Sequence, residues 1–250
     1  MTDEELLKKR FLELSGKSER GYFLFSDFLG LSEQSVFEEV KGSLPRGSYL
    51  LFGGADGCER VMIRFGNPDE LGYEEPFPIS LIKIEPKSLK FAEKLSHRDF
   101  LGSLMNLGIE RKVLGDIVII DNVGYLFAKA DVAEYISDSL ERVRKTDVNA
   151  TVTEVLPEGE LFKLKRVTVQ LSGERLDAVI SKVYGISREE SLSLFKKRLV
   201  FVSGRLCENN SYTPKEDDVV SVRGFGRFIY RGYSSLSRKG KLNADVDLYV

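Results

Sequence analysis

Histidine, cysteine and long apolar runs are scarce in this 250-residue sequence, and each scarcity closes off a class of function. One histidine, His97, and two cysteines, Cys58 and Cys207, leave too few ligands for most zinc sites. They also leave a single candidate for a Ser/His or Cys/His nucleophile pair. The cysteines lie too far apart in sequence for a paired metal or redox spacing and read as reduced, structural thiols. The longest apolar stretches, Ile117 to Ile120 and Ser48 to Phe52, fall far short of the ~20 residues that a membrane-spanning helix needs. The first residues, MTDEELLKKRFLEL, lack a signal peptide's apolar core and its small-residue cleavage site, so the expected location is the cytoplasm.

What is present is the composition of a globular protein: 42% hydrophobic and 30% charged residues, enough chain for two or three small domains. The net charge of −2 argues at first against a polyanion partner. It is unevenly spread, however: residues 172–241 hold 14 Lys and Arg against 8 Asp and Glu, while residues 1–171 hold 23 against 29. The basic footprint is C-terminal.

Periodicity predicts helices over Glu4 to Leu14 and Ser32 to Val40, the second with Ser32 as N-cap. Tyr49 to Phe52, a glycine-rich turn at residues 53–57 and Val61 to Phe65 predict a hairpin. From Ile79 the segments alternate regularly. Ile79 to Glu85 reads as a strand and His97 to Leu107 as a helix. Ile117 to Asp121 and Tyr125 to Lys129 read as a hairpin around residues 122–124, Val132 to Val143 as a helix, and Ala150 to Leu156 as a strand. That βαββαβ order is the split plait of many small RNA-binding domains. The aromatic signature of an RNA-recognition motif is missing from the strand at residues 124–128. A turn at residues 157–159 and a bridging strand over Phe162 to Leu171 lead into the last domain.

There, Leu176, Val179, Ile180 and Val183 form one helix face, and Gly185 ends that helix. Ser187 caps the next one, with Glu190 at capping-box spacing. Strands at Val200 to Val202 and Val219 to Val222 follow, with a turn at Ser203-Gly204. A helix N-terminus at Ser187, with Arg188 beside it, can hold a phosphate. Lys196, Lys197 and Arg198 form a basic cluster at the other end. Arg223, Arg227 and Arg231 alternate with Phe225, Phe228 and Tyr230, offering cations beside stacking planes for RNA. The competing reading of these aromatics is the packing of a closing strand.

This segment resembles the S-four RNA-binding domain, named after a small-subunit ribosomal protein. The likeness rests on Arg175-Leu176-Asp177, Ser187-Arg188, Lys196-Lys197, Val200, Val202, Ser203-Gly204, Asp218-Val219 and Arg223-Gly224. Arg198, Ser203 and Asp217 depart from the family's usual Gly, Asn and Gly, which bears on loop geometry. LSHRDFLGSLMNLGIERKVLGDI at residues 95–117, with Gly53-Gly54, Glu59-Arg60 and VRGFGRF, resembles the YlmH family of bacterial S-four-domain proteins. The resemblance implies a protein that binds ribosomal RNA and tRNA on the large ribosomal subunit, in rescue or quality control of stalled translation. Older labels tie the family to cell division. The RNA-binding residues expected are Arg175, Ser187, Arg188, Lys196, Lys197, Arg198, Arg205, Arg223 and Arg227, together with His97 and Arg98.

Ser96-His97-Arg98-Asp99 reads first as a capping box and second as an RNA contact at a helix start. His-Arg-Asp is also found in kinase catalytic loops, but Leu104 stands where the required Asn would be. The glycines at residues 53–57 match neither nucleotide-loop pattern. Two alternatives remain. One is an RNA-modifying enzyme of the pseudouridine synthase type, whose motif holds a similar Arg-Leu-Asp, although too little chain follows Asp177 for a catalytic domain. The other is an adaptor binding proteins, linked to cell division, through the acidic N-terminal part.

The expectation is thus an α+β, non-enzymatic monomer without cofactor, metal, membrane contact or small-molecule substrate. Its parts are a helical and hairpin region at 1–75, an RNA-recognition-motif-like plait at 76–160, an S-four domain at 161–235 and a tail at 236–250.

Overall fold

A computed structural model describes residues 2–157, 161–236 and 241–249. Seven α-helices and fourteen strands occur among them, in two compact units. The first takes the described residues up to Glu33 and from Glu39 to Leu161. The second takes Gln34–Glu38 and those from Phe162 onward. No helix among the described residues is long and apolar enough to cross a membrane.

The first unit opens with α1 (Asp3–Ser18), started by a capping box in which the Glu5 amide donates to Thr2 Oγ1 and the Thr2 amide to the Glu5 carboxylate. Its inner face buries Phe11 and Leu14. Then follow β1 (Leu24–Phe25), α2 (Leu31–Val40), of which Gln34–Glu38 counts with the second unit, β2 (Tyr49–Phe52), β3 (Met62–Phe65) and the short α3 (Pro68–Leu71). The three strands form an antiparallel sheet in the order β1-β3-β2. Ser32 lies inside α2 instead of capping it; the Gly30 amide just before the helix donates to the Glu33 carboxylate at 2.8 Å.

Next come β4 (Ile79–Pro86), α4 (His97–Asn106), β5 (Leu114–Ile120), β6 (Val123–Lys129), α5 (Ala130–Ser139), β7 (Arg142–Val143) and β8 (Thr146–Thr153), with sheet order β5-β6-β4-β8-β7. Every pairing in it is antiparallel. Strand alternation sends Ile82, Ile84 and Leu126 to one face, where Phe100 and Leu104 of α4 and Ala133 and Ile136 of α5 cover them. Leu81 and Phe127 face the other way and are covered by Phe28 and Met62. Gly54, with φ +104°, lies so close to this face that a Cβ on it would meet the Phe127 ring at 2.3 Å.

Several predicted boundaries move, among them the last strand, which runs from Thr146 to Thr153 instead of from Ala150 to Leu156. The β5-β6 turn falls on Asp121 and Asn122, with φ of 49° and 66°, one residue before the expected one. The apolar spacing that predicts a helix to Val143 also fits what forms: α5 stops at Ser139, and Leu140 and Val143 are buried as the chain turns at Arg144 into β8. Of the expected turn at residues 157–159, Glu158 and Gly159 lie outside the described residues.

The second unit contains β9 (Leu164–Leu171), α6 (Leu176–Tyr184), α7 (Arg188–Lys196), β10 (Val200–Val202), β11 (Arg205–Leu206), β12 (Val219–Val222), β13 (Gly226–Leu236) and β14 (Leu242–Tyr249). They form one sheet in the order β11-β10-β12-β13-β14-β9. Leu176, Val179, Ile180, Leu194 and Phe195 pack on Val200, Val220, Val222 and Val246. The segment read as a tail is thus largely a strand within this sheet: β14 pairs with β13 on one side and along its whole length with β9 on the other, and Ala244 and Val246 are fully buried. Residues 237–240 and 250 of that segment lie outside the described residues.

Candidate nucleic-acid interface

Asp177 is the organising residue of the second unit's basic surface. Its side chain is completely buried, and its carboxylate accepts two hydrogen bonds from Arg175, at 3.1 and 3.2 Å, and two from Arg188, at 3.2 and 3.3 Å. Each guanidinium is thereby held in a fork at the start of its helix, α6 for Arg175 and α7 for Arg188. Both arginine side chains stay about half exposed, at 46% and 48%. The Ser191 hydroxyl donates to the Asp177 carbonyl at 2.8 Å and ties α7 to α6.

Ser187 caps α7 by accepting the Glu190 amide at 3.0 Å. The first turn of α7 carries Glu189 and Glu190, which already complement the positive end of the helix dipole. An anion there would meet two carboxylates, so the phosphate-binding capacity at this end resides in the arginine pair.

At the other end of α7, Lys196, Lys197 and Arg198 are all exposed. Arg223 is exposed too, and its amide donates to the Leu199 carbonyl at 2.9 Å, which brings it beside that cluster; its guanidinium lies 5.1 Å from the Phe201 ring. Arg198 approaches Glu208 only to 3.8 Å. Asp218 shapes the neighbouring loop by accepting from the Tyr212 hydroxyl, the Lys215 amide and the Ser203 hydroxyl. Burial, then this hydrogen bond, pushes the Tyr212 phenol up to about 12.

Other expected contacts are engaged elsewhere. Arg205 is paired with Glu38, which belongs to the same unit, at 2.6 Å. Arg227 stacks over Tyr249 at 3.9 Å and Phe162 at 5.0 Å. The stacking planes are corrected: Phe228 and Tyr230 are buried in the core, because alternation along β13 turns both toward the helices. Only Phe225 of the three is exposed. Arg231 is likewise no open cation, since it pairs with Asp217 and, at 2.6 Å, with Asp247. Hydrogen bonding from Arg166 holds the Asp247 carboxyl below its ordinary range, with Arg231 adding to the effect.

His97 and Arg98 belong to the first unit. There the capping box forms: the Ser96 amide and hydroxyl donate to the Asp99 carboxylate at 2.8 and 2.7 Å. Around His97 the structure gathers residues that sequence reading left without a role. The Arg60 guanidinium donates to the carbonyls of Leu114, Phe28 and Arg111, and Arg111 donates to those of Leu114 and Gly115. Asp116 accepts the Glu59 amide. Burial, then repulsion from Arg60, lowers Arg111 to about 10. Partial burial, then Arg111, holds His97 below its ordinary value, against the pull of Asp116. The Glu59-Arg60 and residue 95–117 motifs therefore meet in space, which only their joint presence in one family pattern could have signalled. No group of three or more His, Cys, Asp or Glu side chains among the described residues is placed to hold a metal ion.

Comparison with known proteins gives likenesses to a family, to a curated relative and to a solved structure. Residues 73–156 match the family model described as "Putative RNA-binding domain in YlmH". Over 234 residues the chain is 30% identical to the "Ribosome-associated protein quality control protein P2" of Bacillus subtilis, covering 86% of this chain and 83% of that protein. Among solved structures, "Cell division protein ylmH from Streptococcus pneumoniae" is 20% identical with a TM-score of 0.46, covering 61% of this chain and 92% of that one.

Proposed function

The chain belongs to the YlmH family of RNA-binding proteins, and on that premise we propose that it is a non-enzymatic protein of the cytoplasm that binds ribosomal RNA and tRNA on the large ribosomal subunit, in rescue or quality control of stalled translation. The second unit is its main RNA grip and is read as an S-four domain, in which α6 and α7 present the contacts and β10 to β13 support them. The β4-α4-β5-β6-α5-β8 segment is read as an RNA-recognition-motif-like plait. Its sheet face is covered by Phe28 and Met62, so RNA would meet its edges and helix starts.

One observation carries the proposal: the buried Asp177 holding two half-exposed arginine forks. A carboxylate so enclosed cannot reach a base, which argues against its use as a pseudouridine synthase nucleophile. Its effect is to fix two guanidiniums with donors left over for phosphate oxygens.

Sedimentation of cell lysate through a gradient at low salt tests this reading. The protein is expected to travel with large subunits or whole ribosomes. Recovery only at the top of the gradient would overturn it.

A further inference from the structure

Away from the basic surface of the second unit, the first unit carries a groove of about 510 Å³ beside the start of α4. Arg98, Arg142 and Arg144 line it, with the acids Asp99 and Glu141 and with Asn106. Arg98 is exposed and makes no ion pair or hydrogen bond among the described residues. Arg144 is held at the rim in a left-handed turn, φ 53°, with Glu93 and Asp99 no closer than 3.7 and 3.6 Å. Arg142 donates from Nε to the Asp147 carboxylate at 2.8 Å and stays 63% exposed, so the three guanidiniums line one channel with N–H groups left over for solvent, a disposition suited to a phosphodiester backbone.

The segment leading into the groove carries the most exposed aromatic side chain among the described residues. Phe91 is 79% exposed and Leu89 71%, against 52% for Tyr135. Phe91 stands two positions before Glu93, whose carboxylate lies 3.7 Å from the Arg144 guanidinium, which brings this segment of chain close to the groove. Its surroundings are cationic: residues 87–98 hold Lys87, Lys90, Lys94 and Arg98 against one acid, Glu93. The Lys90 ammonium lies 5.5 Å from the ring centroid. An exposed ring flanked by cations is what an unpaired base and its phosphates require, whereas a duplex offers no free base face. An exposed ring on so basic a segment, with the Lys90 ammonium beside it, is a poor match for an apolar protein partner.

We propose that Phe91 and the Arg98–Arg142–Arg144 groove form a second RNA contact that takes an unpaired nucleotide: Phe91 stacks on its base and the arginines hold the adjoining phosphates. The inference rests on the RNA-binding reading above and adds to it both a site and a ligand class.

The chain has no tryptophan, so Phe91→Trp creates a single tryptophan reporter, excited apart from the tyrosines, at an exposed position. Full-length Phe91→Trp protein is titrated with a labelled oligouridylate of about 12 nucleotides, within the usual span of single-strand sites, and with a blunt duplex of equal length. Label anisotropy reports binding anywhere on the protein, and tryptophan emission reports this site. Quenching by the single strand and not by the duplex is expected. Adding Arg98→Ala and Arg144→Gly, the latter suited to the left-handed backbone, should move the quenching curve about tenfold higher in RNA at moderate salt. Saturating anisotropy with unchanged tryptophan emission overturns the site and leaves the second unit's RNA contact standing. Failure of the oligouridylate to bind at all also overturns it, while the gradient experiment judges the ribosomal reading independently.

Discussion

Three turn residues of the second unit hold backbone conformations that glycine or asparagine adopts most easily. Arg198, Ser203 and Asp217 have φ of 57°, 48° and 68°, at the positions where the S-four likeness expects Gly, Asn and Gly. Each of the three takes a left-handed backbone at a strain of about 1 kcal/mol for a residue with a Cβ. Arg198→Gly is therefore expected to stabilise the protein by about 1 kcal/mol in urea unfolding while weakening RNA binding, because an exposed cation goes with it. Unchanged affinity in that variant would remove Arg198 from the interface. His97 allows a second prediction, since one histidine gives one imidazole signal by NMR. Its midpoint should lie below the ordinary ~6.5, for the burial and Arg111 proximity already described. The unfolded chain then binds that proton more readily than the folded one. Stability is full above about pH 6.5 and falls as the pH drops through that value, a slope that His97→Gln should flatten. A midpoint at or above the ordinary value would contradict this. At this scale the sequence was legible where partners are neighbours, as in the Ser96–Asp99 cap. Arg188 and Asp177 lie 11 positions apart and meet only once α6 and α7 pack, so their pairing left no local signal.

Among the elements, α7 is where stability and RNA binding can be pulled apart. Lys196 and Lys197 are exposed at its C-terminal end, so changing both to Ala should alter stability by no more than about 0.5 kcal/mol. The slope of log K against log salt should flatten by roughly 0.7 to 0.9 for each phosphate that is no longer neutralised. Leu176→Ala in α6 should behave oppositely. The side chain is fully buried, and its truncation is expected to cost about 2–5 kcal/mol and to weaken binding only through unfolding. An unaltered salt slope in the double-lysine variant would move the RNA surface off α7. Both helices were readable because each is short, amphipathic and clearly punctuated: Gly185 takes the left-handed conformation that ends α6, and Ser187 caps α7. β14 was not readable. Its asparagine and aspartates gave Leu242 to Tyr249 a polar look, and its partner β9 lies more than seventy residues earlier. The aromatics of β13 misled for the same reason: which face of a strand is wet depends on neighbours that the local pattern does not name.

For the whole molecule, the regional charge contrast carries a prediction that the net charge of −2 conceals. If ribosome association runs through the basic second unit, raising the salt in the gradient should strip the protein from large subunits steeply, as counterion release demands. Association indifferent to salt would favour the protein-adaptor alternative. At this scale the sequence reads residues 1–75 and 76–160 as separate parts, whereas the described residues of both, apart from Gln34–Glu38, lie in one compact unit. The reason is the second face of the five-stranded sheet, where Leu81 and Phe127 are sealed by Phe28 and Met62. That seal governs how the chain can be cut. A fragment spanning 73–156, the stretch that matches the family model, would leave both covering side chains behind. It would bare two large apolar groups whose burial contributes about 1.5–3 kcal/mol each. Such a fragment should bind hydrophobic dyes and self-associate, so any exchange of this module between proteins would have to carry the N-terminal hairpin along as part of the inheritance.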